Sequence, residues 1–137
     1  MEYRHVVHYY ETDKMGVTHH SNYIRWMEEG RIAFLAGIGW PYERLEREGF
    51  ASPVTKVECK FIKPCTFADE IIINTYVKSF DSIRLTFGYE MKKADGTVVC
   101  VAESGHCFID EKGRPIRADR ALPDFCAELH KHEKPGK

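Results

Sequence analysis

The run YYETDKMGVTHHSNYIRWMEEGR, Tyr9 to Arg31, puts one acidic residue, Asp13, in a glycine-containing loop that leads straight into the most strongly patterned helix of the chain. The first turn of a helix has backbone N–H groups without intrahelical acceptors and a partial positive charge, so it can hold an anion or a developing oxyanion. A carboxylate a few residues away supplies the other half of an acyl-transfer apparatus. Taken alone, an aspartate in such a loop is more often a turn or cap residue than a catalyst. His19 and His20 are adjacent, and neighbours on a strand or helix point to different sides, so the pair is not a ready two-ligand metal site. The five cysteines, Cys59, Cys65, Cys100, Cys107 and Cys126, are odd in number and form no CxxC. They read as small buried apolar residues rather than a disulfide framework or zinc site.

The elements that must position Asp13 follow from periodicity. Residues 3–10, YRHVVHYY, are rich in aromatic and β-branched types and predict a first strand. A helix begins at about Ser21, with Ser21 or Asn22 as N-cap. Tyr23, Trp26, Met27, Gly30, Ala33, Phe34 and Gly37 repeat along it at helical spacing. Gly30 and Ala33, in the middle of that stripe, allow close approach to a flat surface, which a sheet would provide. A short helix is expected over 42–48, with Pro41 at its start and Gly49 at its end.

After Pro53 the period changes to two. Val57, Cys59 and Phe61 alternate with Lys56, Glu58 and Lys60, as in a half-buried strand. Pro64 ends it, and strands over 70–80 and 83–92 follow. Asp95-Gly96 is a hairpin signal leading into a last strand, 97–109, with apolar residues on both faces. A tail helix is expected over 124–132, before the polar end HEKPGK. The order predicts an α+β domain with one long helix on one sheet face.

At 137 residues the chain reads as one domain, 1–137. Twenty Lys plus Arg against 21 Asp plus Glu leave a formal net charge of −1, which argues against nucleic-acid binding by bulk electrostatics. No apolar run approaches the roughly 20 residues of a membrane span, and the N-terminus lacks a signal-peptide layout. The expected location is cytoplasmic.

The pattern YxxTDxxGVxxHxNY, met by Tyr9, Thr12, Asp13, Gly16, Val17, His20, Asn22 and Tyr23, resembles the hotdog-fold acyl-CoA thioesterases related to 4-hydroxybenzoyl-CoA thioesterase. A helix bearing Glu28 and Arg31 follows it, FIKPCTFADEI resembles the family's step between strands, and GRPIRADRALPDF resembles its usual ending. The resemblance implies a five-stranded antiparallel sheet wrapped around the long helix, with homodimers joined edge to edge, or tetramers, and sites at the dimer interface. It implies an acyl-CoA hydrolase, metal-independent and without a cofactor, coenzyme A being part of the substrate. Asp13 would be nucleophile or general base, and a backbone N–H near His20 would polarise the thioester carbonyl. The His20 side chain and a tyrosine before the acid, Tyr9 or Tyr10, are also implicated. Glu28 would support the loop or pair with Arg31 rather than catalyse.

Arg84, Arg114 and Arg117, with Lys60 and Lys63 behind them, are the expected contacts for the coenzyme A nucleotide. Tyr9, Tyr23, Trp26 and Phe61 could line an acyl pocket, and the acyl group itself is open. Two rival functions remain at this level: hydration or dehydration of an acyl thioester, and non-catalytic acyl-CoA binding.

Overall fold

A computed structural model describes residues 1–133, so the last four residues of the polar end HEKPGK lie outside the described residues. In chain order the elements are β1 (Glu2–Val6), a 3-10 turn (Tyr9–Glu11), α1 (Ser21–Gly37), α2 (Tyr42–Arg47), β2 (Phe50–Ala51), β3 (Val54–Phe61), β4 (Glu70–Phe80), β5 (Leu85–Lys93), β6 (Val98–His106), β7 (Ile109–Asp110), α3 (Ala118–Ala121) and α4 (Pro123–Lys131). Five strands form an antiparallel sheet in the order β1-β4-β5-β6-β3, and β2 pairs with β7. The α+β architecture and its five-stranded antiparallel sheet are as the sequence implies. Among the described residues no helix is long and apolar enough to cross a membrane.

The long helix α1 lies against β4 and β1. It buries Tyr23, Trp26, Met27, Gly30 and Phe34, most of the expected stripe, and Arg31 and Leu35 besides. Gly30 sets the spacing: a Cβ there would come within 2.7 Å of Thr75 Oγ1 and 3.0 Å of Ile73 Cγ2 on β4. The Phe34 ring meets Phe87 of β5 edge to face at 5.5 Å. The Asp95-Gly96 hairpin forms as expected, with Gly96 at φ +93° and the Lys93 amide donating to the Thr97 carbonyl. Helix α4 returns to the body of the fold, where Phe125 packs against Trp40 and Phe108.

Four expectations need correction. The first strand stops at Val6, because the Glu11 carboxylate accepts the His8 amide at 2.7 Å and bends residues 9–11 into a 3-10 turn. Neither Ser21 nor Asn22 caps α1: His20 holds the N-cap position without a side-chain bond. The Asn22 amide group instead donates to the Glu11 and His19 carbonyls. Strand β3 is not half-buried, since Val57 and Phe61 are 40% and 51% exposed and only Cys59 is partly covered. It is an edge strand bonded to β6 alone. Finally, the strand expected over 97–109 divides, and its last part leaves the large sheet to pair with β2.

Two buried polar systems tie α1 to the sheet. In the first, Glu11 is 4% exposed and its carboxylate accepts three N–H bonds: His5 Nε2 at 2.8 Å, the His8 amide at 2.7 Å and Trp26 Nε1 at 2.8 Å. Burial alone would raise its pKa, yet these donors together lower it. In the second, Arg31 Nη1 donates to Tyr89 Oη at 3.2 Å, and Tyr89 Oη lies 2.6 Å from Ser104 Oγ, itself 2.7 Å from His106 Nε2. His106 is 2% exposed, and among the described residues its Nδ1 has no hydrogen-bond partner. Burial and the Arg31 charge push the imidazole down to about 4, with only the Ser52 backbone working the other way.

Glu11→Gln should destabilise the fold by about 2 kcal/mol or more, because an amide NH2 would face the buried Trp26 N–H, donor against donor. Urea denaturation at neutral pH measures it. His106 gives the opposite kind of test. Its unfolded form takes a proton near pH 6.5, whereas the folded form stays neutral down to about 4. Stability should therefore fall as pH drops through that window, by up to about 3 kcal/mol. His106→Gln should be flatter between pH 7 and 5, and an unchanged slope would discount His106 as its source.

Candidate active site

Asp13 is held by its own loop. Its amide donates to the Val17 carbonyl and its carbonyl accepts from the Gly16 amide, both at 2.9 Å. Gly16 takes φ +79°, a conformation that suits glycine. The loop is tied to the segment after β3, where the Thr18 amide donates to the Cys65 carbonyl and the Thr66 hydroxyl to the Gly16 carbonyl. Asp13 Oδ1 accepts the Met15 amide at 2.8 Å. Among the described residues Oδ2 has no donor.

At the start of α1 most donors are already engaged. The Ser21 amide bonds His19 Nδ1, and the Asn22 and Tyr23 amides bond the His19 and His20 carbonyls. The His20 amide has no acceptor among the described residues, so the oxyanion donor expected at the helix start narrows to that N–H.

An open cleft of about 330 Å³ brings Asp13 and His20 together, lined also by Thr18, Tyr23, Phe61 and Lys63. The Phe61 ring closes one side, 5.0 Å from the Tyr23 ring. Burial raises the pKa of the Tyr23 hydroxyl, which contacts Cys65 Sγ at 3.3 Å. A second cleft, about 420 Å³, borders Asp13 with Tyr9, Lys14, Thr66 and Phe67. Tyr9 is thus beside Asp13 but away from His20, with its ring 5.7 Å from Phe67. Tyr10 is exposed and stacks on His8.

Other expected residues fall elsewhere. Trp26 is fully buried with its indole N–H on Glu11, so it is core rather than pocket wall. Arg84, Arg114 and Arg117 are exposed and border neither Asp13 cleft. Arg114 pairs with Asp110 at 3.0 Å and Arg117 with Asp119 at 3.1 Å. The cations beside Asp13 are Lys63 and Lys14. Glu28 forms no ion pair with Arg31 among the described residues; both instead line a third cleft. The His19 and His20 rings, expected to diverge, lie 4.1 Å apart, because the chain here is entering the helix rather than following a regular element.

Sequence reasoning missed Glu11. Its signal was a glutamate three residues after His8, the reciprocal capping pattern with histidine in place of serine or threonine. His5, His8 and Glu11 also bring three potential metal-ligand atoms within 4.8 Å of one another. Glu11 Oε1 already receives both the His5 ring N–H and the His8 amide, so this is a carboxylate saturated by donors rather than an open ligand set.

The model of the thioesterase-like superfamily matches residues 7–129. A Bacillus subtilis protein described as a candidate acyl-CoA thioesterase is 31% identical over 129 residues, 93% of this chain and 94% of that protein. A 1,4-dihydroxy-2-naphthoyl-CoA hydrolase of Thermosynechococcus vestitus is 26% identical over 124 residues, 90% of this chain and 83% of that one. Among solved structures, a DHNA-CoA thioesterase from Staphylococcus aureus superposes with a TM-score of 0.90 at 30% identity, covering 95% of this chain and 88% of that one. With the match running from before the Asp13 loop into α4, the chain belongs to the thioesterase-like superfamily and has its hotdog fold.

Proposed function

We propose that the protein hydrolyses acyl-CoA thioesters, releasing a carboxylic acid and coenzyme A, at the cleft between Asp13 and His20. The reading is carried by one observation: Asp13, whose Oδ2 has no donor among the described residues, and His20, whose amide has no acceptor among them, line the same open cleft. Superfamily membership and the named thioesterase relatives support it.

The chemistry needs little more. The thioester carbonyl oxygen would accept from the His20 amide, which polarises the carbon and stabilises the charge that develops during attack. Asp13 either attacks that carbon, forming an anhydride that water then opens, or takes a proton from an attacking water. In both cases the carbon–sulfur bond breaks and coenzyme A leaves as a thiolate, a good enough leaving group that no strong general acid is required. The His20 ring and the Tyr9 hydroxyl would orient the substrate, a reading supported by His20 and Tyr9 each lining a cleft that Asp13 also lines. Lys63 and Lys14 each line a cleft that Asp13 also lines, and either could meet an anionic part of the substrate. Arg84, Arg114 and Arg117 would meet a coenzyme A nucleotide only far along its pantetheine arm or from another protomer.

Asp13→Asn is the decisive variant, since an asparagine Oδ1 can still accept the Met15 amide and keep the loop. It should retain wild-type stability and lose thiol release from acyl-CoA by about a hundredfold or more. The assay runs over short, long and aromatic acyl-CoAs on both proteins. Undiminished release by the variant removes Asp13 from the mechanism; no release by wild type, with a change in enoyl absorbance instead, replaces hydrolysis with hydration chemistry.

A further inference from the structure

Arg31 is an unusual component of α1. It is 7% exposed, and among the described residues no carboxylate comes within ion-pair distance of it. A guanidinium has five N–H donors. Here Nε donates to Tyr42 Oη at 3.0 Å and Nη1 to Tyr89 Oη at 3.2 Å, and the Nη2 edge has no acceptor among the described residues. Burial works against the charge, but the two phenol oxygens outweigh it and hold the guanidinium ionised. A buried cation with neutral partners on one edge and an open donor edge is expensive unless an anion completes it.

Arg31 lines a cleft of about 370 Å³ between α1, α2 and the β2–β3 turn. Tyr42, Leu45, Phe50, Pro53 and Val54 make its walls, which are mainly apolar. Glu28 and Glu46 border it too, but both are exposed, where water screens their charge far more than it screens Arg31. The cleft shares no lining residue with either Asp13 cleft. Along α1, the separation of His20 and Arg31 corresponds to a rise of roughly 16 Å.

We propose that this cleft is a binding site for a carboxylate with an apolar body, its oxygens paired with the open guanidinium edge of Arg31 and its body against Phe50 and Leu45. That is the chemical class of the acid a thioester hydrolysis releases, a link that rests on the proposed function; the binding itself does not. The floor favours one negative group over several because the acidic rim opposes a multiply charged ligand.

The probe is benzoate, with benzamide as its uncharged counterpart, titrated at neutral pH into the 15N-labelled full chain. Benzoate should shift the Arg31 Nε–H and the Ala51 and Ser52 amides saturably, and benzamide should bind about tenfold more weakly or worse. Arg31→Gln should weaken benzoate by a similar factor. Because that variant removes a buried group, Ala51→Trp, which fills the cleft from an exposed strand position, gives a second test and should also abolish the shifts. Asp13→Asn should bind benzoate as wild type does, so the outcome stands whether or not Asp13 is catalytic. Equal binding of benzamide, shifts confined to the Asp13–His20 cleft, or no saturable shift at all overturns the proposal.

Discussion

The Glu11 carboxylate is the contact on which the working end of the molecule depends. It gathers the ring of His5 from β1, the amide of His8 at the chain's turn and the indole of Trp26 from α1. Its backbone carbonyl accepts from both the His19 amide and the Asn22 side chain. One residue thereby joins the sheet edge, the loop and the first two turns of the helix. Because it is buried and fully supplied with donors, its charge is stabilised by fixed N–H groups rather than by water. The position of Asp13, two residues on, is a consequence of that junction.

A second constraint acts further along α1. Close approach at Gly30 brings the helix axis down onto β4, and this lowers its next turn toward β5. Arg31 is then mostly buried, and two of its donors find oxygen acceptors within the fold, on Tyr42 and Tyr89. Thr75 Oγ1, under Gly30, has no hydrogen-bond partner among the described residues. Tight packing and an imperfectly satisfied polar layer thus occur together, and the imperfection is concentrated at the Arg31 edge and at His106.

Much of this was legible in the residues. Strand β4 runs from Glu70 to Phe80 as expected, and the alternation of Leu85, Phe87, Tyr89 and Met91 is the buried face of β5. The stripe from Tyr23 to Phe34 gave the helix face that is buried. What was not legible depends on tertiary choices that periodicity does not encode. Val57 and Phe61 alternate like core residues, yet among the described residues β3 has a strand on one side only. Tyr9 and Tyr10 have strand propensity, but a side-chain carboxylate captured the His8 amide and bent the chain. Asp13 and His20, named by the motif, line one cleft, whereas Arg84, Arg114 and Arg117 were chosen by charge alone and border neither Asp13 cleft. Charge says nothing about which face a loop will present.

Two carboxylates two positions apart in sequence end in opposite states. Glu11 has every lone pair that matters occupied, and any proton or water approaching it would have to displace Trp26, His5 or a backbone amide. Asp13, which lines the cleft, has one oxygen committed to the Met15 amide, which fixes the side chain's orientation, while the other has no donor among the described residues. The division follows from depth: the donors that could have quenched Asp13 are buried and already satisfied by Glu11, and the amides of Ser21, Asn22 and Tyr23 are closed off locally. A reactive acid needs a fixed orientation and an unshared lone pair together, two demands that compete whenever the same donors must serve both. Here one acid organises the structure, and its neighbour keeps one oxygen without a donor among the described residues.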